Sequence, residues 1–207
     1  YKINSLKKAL SKTFEEIEHF VVTERARLTD KFTIGFARFY FNRFQNERSK
    51  IKSLLEIGVN RAGGCLFWRE YLPNAEIHGI DVRPRITNYI ENRLRMTVVD
   101  QSNREELKEF ADANGPWDII VDDGSHMVSH QVASFETLWP FVNNGGQYII
   151  EDIQTSTRPD KFKLKYIDMD VHFVDYCKNI EKTKSLPYVD SIEFFENMVI
   201  FKKSGVL

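Results

Sequence analysis

The sequence IKSLLEIGVNRAGG, residues 51–64, determines which fold the chain adopts. Its first half is a short apolar run, which is typical of a strand buried on both faces of a parallel sheet. Glycines that let the backbone approach a ligand closely come directly afterwards, at Gly58, Gly63 and Gly64. Residues 62–72 are predicted to form the next helix, whose N-terminal amides would face that ligand. The segment therefore predicts a nucleotide-sized pocket with the Glu56 carboxylate at its edge.

This turn departs from the G-x-G-x-x-G fingerprint of dinucleotide-binding proteins, because Asn60 stands where the second glycine would fall. An NAD-type oxidoreductase on a similar sheet is one alternative, although it needs that missing glycine. A second alternative keeps the cofactor fold but acts as a non-catalytic partner subunit, with its N-terminal helices as the working surface.

Charge and cysteine content argue against several classes of protein. The 207 residues include 29 basic and 30 acidic side chains, so no strong basic field points to nucleic acid. No long uncharged apolar run predicts a membrane span. Cys65 and Cys177 lie far apart and outside any CxxC pair, which fits a reducing cytoplasm rather than a disulfide framework or a thiolate zinc site. The chain begins at Tyr1 without an initiator methionine, so we expect a trimmed chain or a fragment of a longer protein.

Residues 1–49 are predicted to form a helical extension to a cofactor-binding domain of residues 50–207. Apolar side chains recur three or four positions apart over residues 3–21, which is the period of an amphipathic helix. A second helix is predicted over residues 35–47, and its aromatic side chains are expected to pack onto the sheet domain rather than to bind substrate. These helices are expected to act as a cap or as the contact of a homodimer.

Strands and helices alternate through the rest of the chain. Strands are predicted at residues 51–57, 76–80, 96–99, 117–121, 147–150, 191–195 and 198–201, and helices at residues 62–72, 85–94, 104–113, 128–139 and 163–182. This order predicts an α/β fold: a mostly parallel seven-stranded sheet with helices on both faces and a C-terminal antiparallel hairpin. Ligands of such sheets bind beyond the carboxyl ends of the strands.

Polar residues follow the second and third predicted strands. Asp81, at the tip of the second strand, is placed to hydrogen-bond the hydroxyls of a ribose, with a plain turn aspartate as the alternative. Gln101 and Ser102 form a polar tip after the third strand that would bracket a base. The alternative is that Ser102 or Asn103 caps the helix that follows.

Acidic residues end the next two strands, at Asp122 and Asp123 and at Glu151 and Asp152. Three carboxylates brought together at neighbouring strand tips repel one another unless a proton or a cation intervenes. A hard divalent cation held by Asp123, Glu151 and Asp152 resolves the repulsion, and all-oxygen ligation suits magnesium better than zinc. The alternative is that these acids cap the helices that follow.

His126 is the one histidine placed at this rim, three residues beyond Asp123. An imidazole that titrates near neutral pH can take a proton from a hydroxyl, and a metal ion that holds the hydroxyl would lower its pKa. His126 is therefore predicted to be a general base, with Asp123 beside it in the catalytic site.

Six motifs occur in an order and spacing that resemble one known family: LLEIGVNRAGG, IHGIDVRP, VVDQSN, IIVDDGSH, SFETLWPFV and GGQYIIEDIQTS. The family is that of the metal-dependent sugar O-methyltransferases of macrolide biosynthesis, which use S-adenosylmethionine and have the Rossmann-like class I methyltransferase fold. The resemblance implies that Glu56, Gly58 and Asn60 hold the methionine part of the cofactor, Asp81 the ribose, and Gln101 with Ser102 the adenine. Together with Gly63 and Asp122, these residues form the predicted cofactor site.

By the same resemblance, Asp123, Glu151 and Asp152 are the Mg²⁺ ligands, and His126 deprotonates a sugar hydroxyl. The family usually has glycine at the position of Asn60 and serine at that of Cys65, so the cofactor contacts are expected to differ in detail. We therefore predict an O-methyltransferase that acts on a sugar hydroxyl. A nucleotide-activated sugar or the precursor of a capsular or surface glycan is the preferred acceptor, and a glycosylated natural product is the alternative.

Overall fold

The computed structural model of the protein describes residues 12–24, 29–83, 89–157 and 166–205. The chain divides into two units, Tyr1–Val98 and Val99–Leu207. All seven predicted strands are present; six have ends within two residues of the prediction, and the strand predicted at residues 147–150 begins five residues earlier, at Val142. The division between a helical extension and a cofactor domain at residues 49 and 50 stays a prediction.

Two helices precede the first strand. Helix α1, Phe14–Glu18, begins with a capping box, in which the Thr13 hydroxyl accepts from the Glu16 amide and the Glu16 carboxylate accepts from the Thr13 amide. It continues as a π-helical segment, His19–Glu24. The predicted amphipathic helix over residues 3–21 is present only from Phe14 onward among the described residues, because Thr13 caps its start; residues 1–11 lie outside the described residues. The predicted dimer contact stays a prediction.

Helix α2, Phe36–Phe44, starts after Gly35, whose φ of +91° ends the preceding turn. Its Phe36, Tyr40 and Phe44 are buried, and the Tyr40 ring lies 4.7 Å from that of Trp68. The predicted packing of this aromatic face against the strand–helix unit is confirmed.

The strands of the first unit are mainly parallel. Its further elements are β1 Ser53–Ile57, α3 Gly63–Tyr71, β2 Glu76–Asp81, β3 Tyr89–Glu91 and β4 Leu94–Val98. Strand β2 pairs in parallel with both β1 and β4. Four of the five residues of β1 are buried, as expected for a strand that is covered on both faces.

Strand β3 corrects the sequence analysis, which predicted a helix over residues 85–94. Residues 89–91 pair antiparallel with β4, with Tyr89 opposite Met96 and Glu91 opposite Leu94. The connection is the two-residue turn Asn92–Arg93, and Arg93 has a φ of +66°. A left-handed residue is typical of a tight hairpin turn, which joins two strands and does not continue a helix. Residues 84–88 lie outside the described part of the chain.

The second unit repeats the alternation of helices and strands. Its elements are α4 Arg104–Asn114, β5 Trp117–Asp122, α5 Val128–Leu138, a 3₁₀ turn Trp139–Phe141, β6 Val142–Glu151, α6 Gln154–Thr157, α7 Phe173–Thr183, β7 Val189–Phe194 and β8 Met198–Lys203. Strands β5 and β6 are parallel. Strand β8 runs antiparallel to both β6 and β7, which confirms the predicted C-terminal hairpin.

Helix α7 is shorter than the predicted helix over residues 163–182. The segment before it binds the start of α5: the Tyr166 carbonyl accepts from the Val128 amide, and the Asp168 carboxylate accepts from the Ser129 amide. These bonds satisfy two of the amide groups that every helix leaves unpaired at its N-terminus. Residues 158–165 lie outside the described residues. Among the helices that the structure describes, none has the length and apolar character needed to span a bilayer.

Arg93 joins β4 to the C-terminal end of α3. Its guanidinium donates to the carbonyls of Leu72 at 2.8 Å, Ala75 at 2.7 Å and Arg69 at 2.7 Å. These carbonyls include groups that the end of helix α3 cannot pair with its own backbone. Arg93 therefore fixes the strand β4 edge against the helix that follows the glycine-rich turn.

We expect Arg93→Leu to lower the free energy of unfolding by roughly 2–4 kcal/mol, because three carbonyls lose a charged donor. The control is Arg95→Leu, which changes an exposed residue of β4 and should stay within about 0.5 kcal/mol of the unmodified protein. Urea denaturation followed by circular dichroism measures both. Equal stability of the two variants would contradict the role given to Arg93.

Candidate active site

The turn after β1 contains three residues with left-handed backbone conformations. Gly58 has a φ of +90°, Asn60 of +46° and Ala62 of +66°. For residues other than glycine this conformation costs on the order of 1–3 kcal/mol, and such strain clusters at functional sites. The glycine-rich turn predicted from the sequence is therefore present, with Asn60 held in a conformation that glycine adopts freely.

Glu56 lies beneath the start of helix α3. Its side chain is only 1% exposed, and a Cβ atom added to Gly64 would lie 2.3 Å from Glu56 Oε1. While the Glu56 carboxylate stays in this position, only glycine fits at position 64. Gly63, the first residue of α3, is buried beside it.

A lysine from the loop before α2 balances the charge of Glu56. Lys31 Nζ lies 3.5 Å from Glu56 Oε1, and the Lys31 side chain is 1% exposed. A buried carboxylate without a cation would carry a large desolvation penalty, which the pair offsets. Lys31 is not recognisable from the sequence alone, because nothing in its local pattern separates it from a surface lysine. Burial, reinforced by the Glu56 charge, raises the pKa of the nearby Cys65 thiol, which keeps the thiol protonated.

Asp81 connects the end of β2 to the same turn. Its Oδ2 accepts from the Asn60 amide at 2.9 Å, and its Oδ1 accepts from the Arg83 amide at 3.0 Å. The Arg83 guanidinium donates in turn to the Asn60 side chain at 3.0 Å. Asp81 is half-buried, so its carboxylate is fixed in place while part of it faces outward. The cofactor role of Asp81 stays a prediction.

In the second unit, Asp123, His126 and Asp152 form a cluster. One ligand atom from each residue lies within 4.8 Å of the others, and all three side chains are half-buried. His126 Nε2 is 3.6 Å from Asp152 Oδ2. Two carboxylate oxygens and an imidazole nitrogen at this spacing fit a divalent cation. The predicted meeting of Asp123, Asp152 and His126 thus occurs.

Glu151 lies elsewhere than the sequence analysis placed it. It is the last residue of β6, is buried, and pairs with Met198 of β8. Asp152 follows the end of β6 with a φ of +57°, so it does not continue the strand. The structure does not bring Glu151 into the cluster with Asp123, and its role as a metal ligand stays a prediction.

The backbone of the cluster is strained. His126 has a φ of +60° and Asp152 of +57°, both in the left-handed region. His126 Nδ1 is buried and has no hydrogen-bond partner among the described residues. A strained histidine with an unsatisfied ring nitrogen, next to two carboxylates, marks a site where a ligand or a proton is expected.

Gln101 and Asp122 bind each other. Gln101 Nε2 donates to Asp122 Oδ1 at 2.7 Å and to Oδ2 at 2.9 Å, and the two residues are 7% and 1% exposed. The Ser134 hydroxyl also donates to the Asp122 carboxylate. Burial raises the pKa of Asp122 to about 6, although these hydrogen bonds oppose the shift. The amide donors of Gln101 are thus directed into the protein interior, toward Asp122 and Ser134, and not outward to a base.

The residue that caps helix α4 is Asn103 and not Ser102. The Asn103 side chain accepts from the amides of Glu105 and Glu106, so Asn103 is the cap of helix α4. Ser102 donates from its amide and its hydroxyl to Asp100 Oδ1, at 2.8 and 2.7 Å. Ser102 is exposed, and its contact with adenine stays a prediction.

Comparison with protein families agrees with this geometry. Residues 55–153 match a family whose description is "Methyltransferase domain". The match includes the end of β1, the glycine-rich turn, the Asp123–His126 loop and Asp152. The fold is that of the class I methyltransferases, and residues 55–153 are similar to this methyltransferase family.

Characterised relatives include two enzymes that methylate sugars. The 8-demethyl-8-α-L-rhamnosyl tetracenomycin-C 2′-O-methyltransferase of Streptomyces olivaceus is 37% identical over 160 residues, which are 73% of this chain and 42% of that protein. The mycinamicin VI 2″-O-methyltransferase of Micromonospora griseorubida is 37% identical over 131 residues, 60% of this chain and 33% of that protein. The chain thus spans less than half the length of these relatives. The resemblance to sugar O-methyltransferases seen in the motifs is confirmed.

Solved structures show the same fold. The MycE methyltransferase of mycinamycin biosynthesis, in complex with Mg, S-adenosylhomocysteine (SAH) and mycinamycin VI, matches with a TM-score of 0.67 and 26% identity over 81% of this chain and 49% of that chain. A Staphylococcus aureus structure with the provisional description caffeoyl-CoA O-methyltransferase matches with a TM-score of 0.60 over 98% of this chain and 97% of that chain. Its 14% identity makes it evidence for the fold alone.

The raised pKa of Asp122 makes stability depend on pH in a defined direction. The folded state holds the proton up to about pH 6, whereas the unfolded chain releases it near pH 4. The folded state binds more protons in this range, so the contribution of Asp122 to stability decreases as the pH rises through it. Above about pH 6 the contribution is constant.

We therefore expect the stability difference between the unmodified protein and Asp122→Asn to shrink by about 2 kcal/mol from pH 4.5 to pH 7, because only the aspartate titrates. Urea denaturation at both pH values, with a chelator present, measures this difference. A difference that does not change with pH would show that the buried carboxyl has an ordinary pKa.

Proposed function

We propose that the chain is an S-adenosylmethionine-dependent O-methyltransferase that acts on a sugar hydroxyl with the help of a divalent cation. The observation that carries the proposal is the strained cluster of Asp123, His126 and Asp152. The cluster combines groups that hold a hard cation with a group that accepts a proton. Its support comes from relatives that are named sugar O-methyltransferases.

The first unit supplies residues suited to the cofactor. Glu56 offers a negative charge to the ammonium group of the methionine part, and Gly58, Asn60 and Gly63 shape a turn that brings backbone amides close to it. Asp81 offers carboxylate oxygens to the ribose hydroxyls. When bound, S-adenosylmethionine supplies an electrophilic methyl group on a sulfonium.

The cluster of Asp123, His126 and Asp152 is suited to a cation and an acceptor hydroxyl. Asp123 and Asp152 would hold a Mg²⁺ ion, for which oxygen ligands are preferred. Such an ion lowers the pKa of a hydroxyl that it binds and fixes its orientation. MycE, a structural neighbour, was solved with Mg and SAH.

His126 is proposed as the general base. Because Mg²⁺ prefers oxygen, the imidazole is left available for the proton of the acceptor hydroxyl. The bound cofactor would supply the methyl group to the acceptor oxygen, and His126 would take the proton that this oxygen loses. The carboxylate of Asp152, 3.6 Å from Nε2, stabilises the imidazolium that results.

The acceptor that we propose is a sugar already attached to a natural product. The names of the relatives specify a rhamnosyl tetracenomycin and the macrolide mycinamicin VI. They do not support the nucleotide-activated or capsular sugar that the sequence analysis preferred. The NAD-type oxidoreductase is not favoured either, since the relatives in both comparisons are methyltransferases.

We expect His126→Ala to keep its affinity for SAH and to lose roughly 100- to 10,000-fold in kcat, because the proton loses its acceptor. Isothermal titration measures binding, and methyl transfer to a panel of glycosylated natural products and nucleotide sugars measures turnover. His19→Ala, an exposed histidine of the N-terminal helices, is the control. Full turnover in His126→Ala would remove the base assignment.

We expect a chelator to abolish methyl transfer and added Mg²⁺ to restore it. In Asp152→Asn, the Mg²⁺ concentration that gives half-maximal rate should rise about tenfold or more, because one anionic ligand is lost. SAH affinity in the absence of metal should not change. Methyl transfer that is insensitive to both changes would contradict the metal-dependent mechanism.

A further inference from the structure

The loop that carries Asp123 and His126 is bound on its inner side by two buried residues. The Gly124 amide donates to Asp122 Oδ1 at 3.3 Å, and the Ser125 amide donates to Gln101 Oε1 at 3.0 Å. Consecutive backbone amides of the loop are thus held by the side chains of Asp122 and Gln101.

These two side chains are themselves fixed. Gln101 Nε2 donates to both oxygens of Asp122 and to the Ser134 hydroxyl, the last at 3.2 Å. All three residues are buried. Hydrogen bonds to a buried carboxylate are stronger than those between neutral groups, so the network has little freedom to move.

Gly124 shows how closely the loop lies on this network. A Cβ atom at position 124 would be 2.1 Å from Gln101 Oε1 and 2.8 Å from Gln101 Cδ. The backbone therefore rests directly on the side-chain amide, and a displacement of Gln101 must displace the loop.

The outer side of the loop is bound as well. The Ser125 hydroxyl lies 2.8 Å from His130 Nδ1 and accepts from the Met127 amide at 3.3 Å. His126, between these anchors, keeps a φ of +60°. A residue in such a conformation persists only where its surroundings over-determine it.

We infer that Gln101 and Asp122 are positioning residues that hold the loop of residues 123–126 so that Asp123 and His126 meet Asp152. The inference rests on the proposed function, because it assigns these residues to the metal and base site. It replaces the contact with adenine that the sequence predicts for Gln101. The residues act through the backbone amides of Gly124 and Ser125, and they touch neither cation nor substrate.

The experiment exchanges the donor and the acceptor. In Gln101→Glu two carboxylates face each other, so the network should open and the loop should lose its inner support. In the double variant Gln101→Glu with Asp122→Asn, the new asparagine amide can donate to the new glutamate, whose second oxygen can still accept from the Ser125 amide. The double variant should therefore restore the loop.

Mn²⁺ alone serves as the probe, and the free ion is counted by electron paramagnetic resonance. We expect Gln101→Glu to weaken Mn²⁺ binding about tenfold or more and the double variant to recover to within about threefold of the unmodified protein. SAH affinity, measured by isothermal titration, should stay within about twofold in both.

Asn143→Ala is the matched control, because it also removes an amide that donates to an aspartate, Asp118, at the opposite end of strands β5 and β6. This variant should lose stability without weakening Mn²⁺ binding. Equal Mn²⁺ affinity in Gln101→Glu and Asn143→Ala, or loss of SAH binding with Mn²⁺ binding intact, would overturn the positioning role. If the unmodified protein does not bind Mn²⁺, the proposed metal site fails, and the inference fails with it.

Discussion

Negative charge at the ends of strands is the constraint on which the rest of this protein depends. A carboxylate without a partner in the interior costs several kcal/mol, so each buried acid requires compensation. Glu56 has the ammonium group of Lys31, and Asp122 has an amide and a hydroxyl. Asp123 and Asp152 lie half-exposed beside an imidazole. Groups of the chain itself offset part of the charge of Glu56 and Asp122, whereas Asp123 and Asp152 belong to the cluster in which we propose an ion.

Backbone strain accompanies the charge at two of these places. Left-handed residues other than glycine stand at Asn60 and Ala62 in the turn above Glu56, and at His126 and Asp152 in the cluster. Selection for stability alone would favour glycine at these four positions, or a backbone without left-handed residues. The strain is consistent with side chains held in directions that a ligand requires, since the surrounding hydrogen bonds keep the backbone in place.

The sequence was sufficient for the parts of the structure that depend on local pattern. Apolar runs predicted the strands. Because Asp81, Asp123 and Asp152 follow these runs directly, their positions at the strand ends were also predicted. The directions of side chains, and contacts between residues far apart in the sequence, could not be predicted from local pattern. Asp122 and Asp123 are adjacent acids, yet the first is buried and the second is half-exposed. Lys31 reaches Glu56 only through packing, and β3 is a three-residue strand that exists because β4 pairs with it.

Two glycines lie against the functional side chains of their own units, and this restricts how the sequence can drift over evolutionary time. Gly64 has no room for a methyl group beside Glu56, and Gly124 has none beside Gln101. A larger residue at either glycine requires a shorter or rotated partner, so each glycine and its partner can be exchanged only together. We therefore expect positions 56 and 64, and likewise 101 and 124, to change as pairs among related proteins, because an added Cβ atom would meet the partner's side chain.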